Sequence, residues 1–181
     1  MSTERIERFY WSVPDDVLAI SHGGRLPMQL IPDTMQSLAD TPVESTVNVL
    51  IRLRDESGKA IGIGTELEFI PPTGYLQVYF TKVIPGRGML VSYEEKDYNA
   101  PRLTELMEEV NRSGKEWLGN EPIIGTCGPT KNRRGAVLSG TGEFYGMTGE
   151  MSQTMNFRRI RPGNAPATVD NCETYWLKPK A

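Results

Sequence analysis

The feature that most constrains this chain is a long alternating run inside Ser139–Arg159. After the glycine-punctuated entry Gly140-Thr141-Gly142, one parity holds apolar residues and one amide: Met147, Met151, Gln153, Met155 and Phe157. The other parity is mostly polar: Thr148, Glu150, Ser152, Thr154 and Asn156. Strict alternation predicts a strand with one dry face and one wet face. Methionine is a flexible packing residue that suits a surface adapting to a ligand.

Length and composition limit the class of protein. The 181 residues allow one domain with a sizeable core, and 38% hydrophobic and 24% charged residues are ordinary for a soluble globular protein. A net charge of −3 and a pI near 5.3 give no basic footprint for nucleic acid. No apolar run approaches the ~20 residues of a membrane-spanning helix, and the charged N-terminus lacks the apolar region of a signal peptide. We therefore expect a cytoplasmic protein without nucleic-acid or membrane partners.

The chain divides into two regions that differ in composition and in periodicity. Residues 1–44 contain scattered prolines and aromatics, and we predict an irregular arm with short helices over Asp15–Ile20 and Asp33–Leu38. Residues 45–181 form the second region, a β domain. The arm's consecutive aromatics, Phe9-Tyr10-Trp11, need burial, either in a partner subunit or as a lid over an open barrel mouth.

The β domain shows alternating runs separated by turn residues. We predict about eight strands, over residues 47–53, 61–69, 75–83, 89–93, 123–126, 135–144, 147–160 and 169–177. One amphipathic helix is predicted over Pro101–Arg112, with Gly114 at its end. Meandering strands of this number usually close into a barrel, so the predicted fold is mainly β, a single antiparallel barrel with one internal helix. A barrel of this size is either filled by side chains or holds one small ligand.

Two glutamines carry the interior hypothesis. Gln153 on the dry face needs a hydrogen-bond partner, which is either a neighbouring side chain or a carbonyl of a bound ligand. Gln77 raises the same question within Tyr75–Val83, whose inward parity the sequence leaves open. Inward, Tyr75, Gln77 and Tyr79 would form an aromatic and amide wall; outward, they are surface or interface groups.

The other candidate residues are predicted to be solvated or structural rather than functional. Glu66 and Glu68 share a strand face opposite an apolar parity, so we predict that both are solvated. His22 lies in a polar loop, no Ser-His-Asp arrangement can be assigned, and Lys131-Asn132-Arg133-Arg134 is interpreted as a solvated turn. The two cysteines and one histidine cannot build a usual zinc site without carboxylates, so we predict no metal.

The passage Gly140-Thr141-Gly142-Glu143-Phe144-Tyr145-Gly146-Met147-Thr148-Gly149 resembles the G-x-G-x-F-x-G-x-x-G segment of the allene oxide cyclase and dirigent-type barrels. Within that superfamily the chain is closest in style to the bacterial spirotetronate and spirotetramate cyclases. The resemblance implies a small barrel that catalyses an intramolecular [4+2] cycloaddition on a polyketide, with residues 1–44 as a lid. It fixes no catalytic residue by motif.

We therefore predict a cofactor-independent cyclase of a hydrophobic, polyketide-type small molecule. Such chemistry needs positioning rather than a nucleophile or metal, and a hydrogen bond from Gln or Tyr would help. The predicted catalytic residues are Gln77, Gln153 and Tyr79. The predicted substrate contacts are Tyr10, Trp11, Phe69, Met151, Met155, Phe157 and Trp176. The alternatives are a non-catalytic barrel for a lipophilic ligand and an interaction module whose aromatics serve a homo-oligomer.

Overall fold

The computed structural model describes residues 4–22, 38–39, 46–69, 71, 74–97, 101–163 and 167–180. The first strands are β1 (Arg5–Val13), β2 (Val17–His22), β3 (Leu38–Ala39), β4 (Thr46–Arg54), β5 (Ala60–Phe69), β6 (Leu76–Ile84) and β7 (Gly88–Lys96). The rest are helix α1 (Pro101–Ser113) and strands β8 (Trp117–Ile124), β9 (Thr126–Gly128), β10 (Gly135–Gly140), β11 (Met147–Ile160) and β12 (Thr168–Pro179). A one-turn 3₁₀ helix, Gly142–Phe144, lies between β10 and β11.

Eight strands form a closed antiparallel barrel. Their order around the ring is β1, β12, β11, β10, β7, β6, β5 and β4, and β4 returns to β1 through the pair Tyr10 and Arg54. Strand β2 also pairs with β4, while β8 extends the sheet at β11 and β9 at β7. The predicted mainly β fold, a single antiparallel barrel with an internal helix, is confirmed.

The seam between β1 and β4 is closed by the turn that joins β1 to β2. Its residue Asp16 is buried, and its backbone oxygen accepts a hydrogen bond from the Arg52 amide at 2.8 Å. The Asp16 carboxylate accepts hydrogen bonds from the Ser12 amide at 3.1 Å and from Arg54 Nε at 2.9 Å. Because both sides of the seam donate to one buried carboxylate, Asp16 fixes the register in which the barrel closes.

The N-terminal region differs from its prediction. The helix predicted over Asp15–Ile20 is wrong, since β2 begins at Val17 and pairs antiparallel with β4. Sheet pairing prevails over local helix signals here because a strand with Val17 and Ile20 buried completes the barrel wall. Residues 5–13 and 17–22 are thus strands of the sheet. The helix predicted over Asp33–Leu38 falls outside the described residues except for its last position, which begins β3.

Helix α1 lies against β8 and β11 and buries Leu106 and Val110. It spans the predicted range with one further residue, and it ends where the Gly114 amide donates to the Val110 carbonyl at 2.9 Å with a positive φ of 64°. No helix in the described ranges has the length and apolarity needed to cross a membrane.

An apolar core fills the barrel near the turn between β6 and β7. We call this the apolar end, and its fully buried residues are Leu53, Ile84, Leu90, Phe144 and Leu177. The guanidinium groups of Arg5 and Arg87 lie 5.4 and 5.3 Å from the Phe144 ring centroid. Both arginines also form ion pairs with Glu143, so a polar cover lies over this end of the core.

Candidate active site in the barrel interior

The inner face of β5 is acidic. Glu66 and Glu68 are only 4% and 3% exposed, whereas their neighbours Leu67 and Phe69 are 45% and 42% exposed. The prediction that these glutamates are solvated is wrong. Alternation correctly groups the residues of each face, but the closed ring turns the polar face inward.

The structure also shows which side chains of β6 point inward, a question that the sequence left open. Leu76, Val78, Phe80 and Lys82 point inward and are buried, and Gln77 and Tyr79 are exposed on the outer face. Tyr79 packs there against Tyr93, with ring centroids 4.9 Å apart. Phe69 pairs with Gln77 across β5 and β6 on the same outer surface. The structure therefore does not bring Gln77, Tyr79 or Phe69 to the interior.

Lys96 gathers three carboxylates at the opposite end of the barrel from the apolar core. Its Nζ lies 3.4 Å from Glu94, 3.7 Å from Glu68 and 3.9 Å from Glu66. We call these four residues the charged end. Burial opposes the charge on Lys96, but the surrounding carboxylates outweigh it and raise the lysine pKa. Lys96 is consequently a fixed cation at neutral pH.

For the carboxyl groups, burial is the dominant influence on the pKa. Burial raises the pKa of Glu66 to about 8, although Lys96 partly opposes this shift. Burial likewise raises the pKa of Glu94, whose carboxylate also accepts a hydrogen bond from Thr126 Oγ1. Glu66 thus keeps its proton at neutral pH, because a further buried negative charge beside the others is unfavourable.

A second ionic contact lies deeper in the barrel. Glu173 on β12 forms an ion pair with Lys82 and accepts hydrogen bonds from Trp11 Nε1 at 3.1 Å and Tyr175 Oη at 2.9 Å. Tyr175 Oη is also 2.9 Å from Ser92 Oγ. This network holds the Trp11 indole and ties β1, β6, β7 and β12 together.

Gln153 lies inside the barrel, 1% exposed, as its parity predicts. Its Nε2 donates to Glu66 Oε1 at 3.3 Å and to Asn171 Oδ1 at 3.4 Å. Its Oε1 and the Asn171 Nδ2 are buried without a hydrogen-bond partner. The free atom of Gln153 is therefore an acceptor, which suits an N–H or O–H of a ligand rather than the carbonyl expected from the sequence.

A small cavity lies beside Glu66 and Glu68. It measures about 30 Å³ and is lined by Trp11, Val13, Val17, Ile20, Val47, Val49, Glu66 and Glu68. It has apolar walls with two carboxyl groups on one side, and its volume is smaller than the several hundred cubic ångströms expected for a ligand site. A space of this size admits roughly two water molecules or one small polar group.

The remaining predicted contacts divide between the two faces. Met151 and Phe157 are buried inside and Met155 is half-buried. Tyr10 and Trp176 belong to the outward parity of β1 and β12, and the Trp176 ring lies under the Arg134 guanidinium at 3.8 Å. Trp11 is thus the member of the predicted aromatic pair that reaches the cavity.

The sequence prediction missed the charged interior residues Lys82, Glu94, Lys96 and Glu173. On β6, the available signal was that Lys82 shares a parity with Leu76, Val78 and Phe80. Among the described residues, no three histidine, cysteine, aspartate or glutamate side chains are arranged to hold a metal ion. The interior carboxylates instead face lysines and amides.

Comparison with known proteins gives no family for the chain. No family model matches it, and no curated protein matches it. Similar solved structures include the pterocarpan synthase dirigent proteins GePTS1 and PsPTS1, each 10% identical. The alignments cover 99% and 100% of this chain and 87% and 97% of those chains, with TM-scores of 0.48 and 0.47. Both of those proteins are dirigent proteins.

Proposed function

We propose that this protein is a cofactor-independent cyclase that folds a hydrophobic, polyketide-type chain for intramolecular ring closure by [4+2] cycloaddition. The observation that carries the proposal is the cavity inside the closed barrel, where apolar walls meet Glu66 and Glu68 on one side. An apolar pocket with a few convergent polar groups and a shifted pKa is the usual form of a small-molecule site.

The geometry suits a reaction that depends on positioning. Trp11 and the aliphatic residues of the cavity wall provide the apolar surface against which a flexible chain can fold; they are Val13, Val17, Ile20, Val47 and Val49. Glu66 would provide a polar anchor for one end of that chain, and Gln153 Nε2, which donates to Glu66 Oε1 at 3.3 Å, would hold this carboxyl group in place. Anchoring one end while the rest is held against apolar walls brings the diene and dienophile together and excludes water.

Size sets a requirement on the proposal. A polyketide chain needs a cavity of several hundred cubic ångströms, and the space bounded by the described residues is about 30 Å³. We therefore expect the cavity to widen when a ligand enters. Residues 23–37 belong to the predicted lid and lie outside the described structure.

The test uses a synthetic linear chain that carries a conjugated diene and an α,β-unsaturated ketone. We expect the wild-type protein to accelerate the loss of diene absorbance and to give a product of unchanged mass. Gln153→Ala should slow this reaction roughly tenfold, the effect of losing one hydrogen bond to the anchoring Glu66. The matched control is Ser152→Ala, the next residue of β11, whose side chain belongs to the outward parity.

Two results would overturn the proposal. The first is that the protein binds the synthetic chain but leaves its rate of ring closure unchanged. This result would instead support a non-catalytic barrel for a lipophilic ligand. The second is equal slowing by Gln153→Ala and Ser152→Ala, which would place the anchor elsewhere.

A further inference from the structure

A groove on the outer face of the barrel is much larger than the interior cavity. It measures about 590 Å³, and a volume of several hundred cubic ångströms is usual for a small-molecule site. Its lining includes Ile124, Arg133, Arg134, Thr154, Thr174 and Trp176. The whole lining contains two guanidinium groups and no carboxylate. Glu95 and Asp97 act electrostatically on Cys127 nearby, but neither of them lines the groove. The groove therefore favours an anionic ligand.

The floor of the groove carries two hydroxyl groups between two apolar residues. Thr154 on β11 lies opposite Ile124 on β8 and opposite Cys172 on β12. Thr174, two residues beyond Cys172, is therefore the diagonal neighbour of Thr154, and Trp176 follows on the same face of β12. Diagonal neighbours lie about 7 Å apart, a distance that two hydrogen bonds of about 2.7 Å to one oxyanion group can span.

The turn of residues 130–134, which connects β9 to β10, supplies the positive charge. The Arg134 guanidinium lies 3.8 Å from the centroid of the Trp176 ring, and its Nη1 lies 3.3 Å from Glu150 Oε2. Glu150 thus neutralises Arg134. Within the described part of the chain, Lys131 and Arg133 form no ion pair, and Arg133 lines the groove whereas Lys131 does not. Arg133 is therefore the cation that an anion in the groove can use.

Arg133 is held in a backbone conformation that its residue type disfavours. Its φ of 58° lies in the left-handed region, and it is the one non-glycine residue with a positive φ in the described ranges. The turn fixes this conformation, because the Arg133 amide donates to the Thr130 carbonyl at 2.9 Å and the Thr130 amide donates to the Arg134 carbonyl at 2.9 Å. Glycine would adopt this φ without steric cost. Strain of this kind is tolerated mainly where the side chain has a function.

The supply of donors favours a phosphate over a carboxylate. The Arg133 guanidinium offers a fork of N–H donors, and Thr154 and Thr174 each add a hydroxyl. A carboxylate has two oxygens to receive them, whereas a phosphate monoester has three strong acceptor oxygens and a charge close to about −2 at neutral pH. The two cations of the turn without an ion pair, Lys131 and Arg133, match that charge.

We propose that this groove binds a small organic phosphate monoester, with the phosphate at Arg133, Thr154 and Thr174 and the organic group towards Ile124. Arg134, already paired with Glu150, forms a fixed wall with the Trp176 indole. The site lies on the outer face of β11 and β12, so it is separate from the interior cavity and goes beyond the proposed cyclase activity.

The experiment titrates the protein with phenyl phosphate, benzoate and phenol at pH 7.5. Binding is followed by the NMR signal of the Trp176 indole N–H, with the buried Trp11 and with Trp117, at the other end of β8 from Ile124, as internal references. We expect phenyl phosphate to shift the Trp176 signal saturably, and benzoate and phenol to bind at least about tenfold more weakly because they form fewer charge-assisted hydrogen bonds. Affinity for phenyl phosphate should fall roughly tenfold at pH 5, since the phosphate loses its second negative charge near about pH 6.

Arg133→Gly separates a binding role from a structural one. We expect this variant to bind phenyl phosphate at least about tenfold more weakly and yet to melt about 2 °C higher, because glycine relieves the backbone at this φ. The matched control is Lys131→Ala, which removes one positive charge from the same turn outside the groove. It should weaken binding less than about threefold, as expected for a solvent-screened charge.

Three results would overturn the proposal. The first is that phenyl phosphate gives no saturable shift of the Trp176 signal. The second is that benzoate or phenol binds as tightly as phenyl phosphate, which would remove the phosphate from the ligand. The third is that Arg133→Gly and Lys131→Ala weaken binding equally, which would show a general attraction to a basic turn rather than a site in the groove.

Discussion

The two ends of the barrel are lined by side chains of opposite polarity. The apolar end packs Leu53, Leu90 and Phe144 into an apolar core, and the guanidinium groups of Arg5 and Arg87 lie over the Phe144 ring. The charged end places Glu66 and Lys96 inside and leaves Leu67 on the outer surface. The same closed sheet therefore buries hydrocarbon at one end and ionisable groups at the other.

The apolar end mainly stabilises the fold, whereas the charged end holds the residues of the proposed site. Burying apolar side chains stabilises the fold directly, whereas burying charges costs desolvation energy that pairing only partly offsets. A structure that keeps such charges at one end, with unpaired amide atoms among them, gains no evident stability from them. Departures of this kind are expected at functional sites.

The largest expected effect is at the apolar end. Phe144→Ala removes a fully buried ring, and we expect it to lower the free energy of unfolding by about 4 kcal/mol because a cavity remains. Urea denaturation measures the change. The control is Tyr145→Ala, the next residue, which is 83% exposed and should change stability by less than about 0.5 kcal/mol. Similar losses for both variants would contradict the packing of this end.

Removing the cation of the charged end should have a somewhat smaller effect. Lys96→Met leaves three carboxyl groups without their shared partner, so we expect a loss of about 3 kcal/mol at pH 8. The loss should shrink at pH 5, where the carboxyl groups with raised pKa values are protonated. Lys59→Met, at an exposed lysine, is the control. A deficit that grows in acid would contradict the cluster.

The pH dependence of stability should come from the charged end. Glu66 has its pKa raised from 4.5 to about 8, so between these values the folded state holds a proton that the unfolded state has lost. Stability therefore falls as pH rises through this window. We expect a difference of about 3 kcal/mol between pH 5 and pH 8 in urea denaturation. Glu66→Gln should flatten this slope, and an equal slope in the variant would assign it to other groups.

The smallest effect should come from the outer face. Gln77→Ala changes an exposed side chain, and we expect less than about 0.5 kcal/mol in stability and no change in the ring-closure rate. Gln153→Ala provides the contrast from the interior. A slower reaction in Gln77→Ala would restore this residue to the site and move the chemistry to the outer surface.

The sequence predicted the architecture better than the site. Alternation in β11 correctly placed Met151 and Gln153 inside, because its two parities differ strongly in polarity. The same reasoning failed for β5, where apolar Leu67 faces solvent and Glu66 faces inward. Alternation shows which residues share a face, but the inner face is decided by strands far away in the chain.

The charged interior depended most on distant partners. Glu173 needs Lys82 and Trp11, and Glu66 needs Lys96 and Gln153, which come from separate strands. Only the closed ring brings these groups together, so the local pattern of β5 gives Glu66 no buried partner and favours the solvated interpretation. The helix predicted over Asp15–Ile20 failed for a related reason, since pairing with β4 set the conformation of Val17 and Ile20.

The pairing of β1 with β12 has a consequence for biosynthesis. Arg5 lies opposite Leu177, and Val13 lies opposite Val169, so the first described strand has its main neighbour in the last. On the ribosome, β4 to β7 can form hairpins as they emerge, but the ring cannot close before residue 179 has left the exit tunnel. Until then the carboxylates and lysines of the nascent sheet remain hydrated. We therefore expect the charged interior to lose its water only after translation has delivered β12.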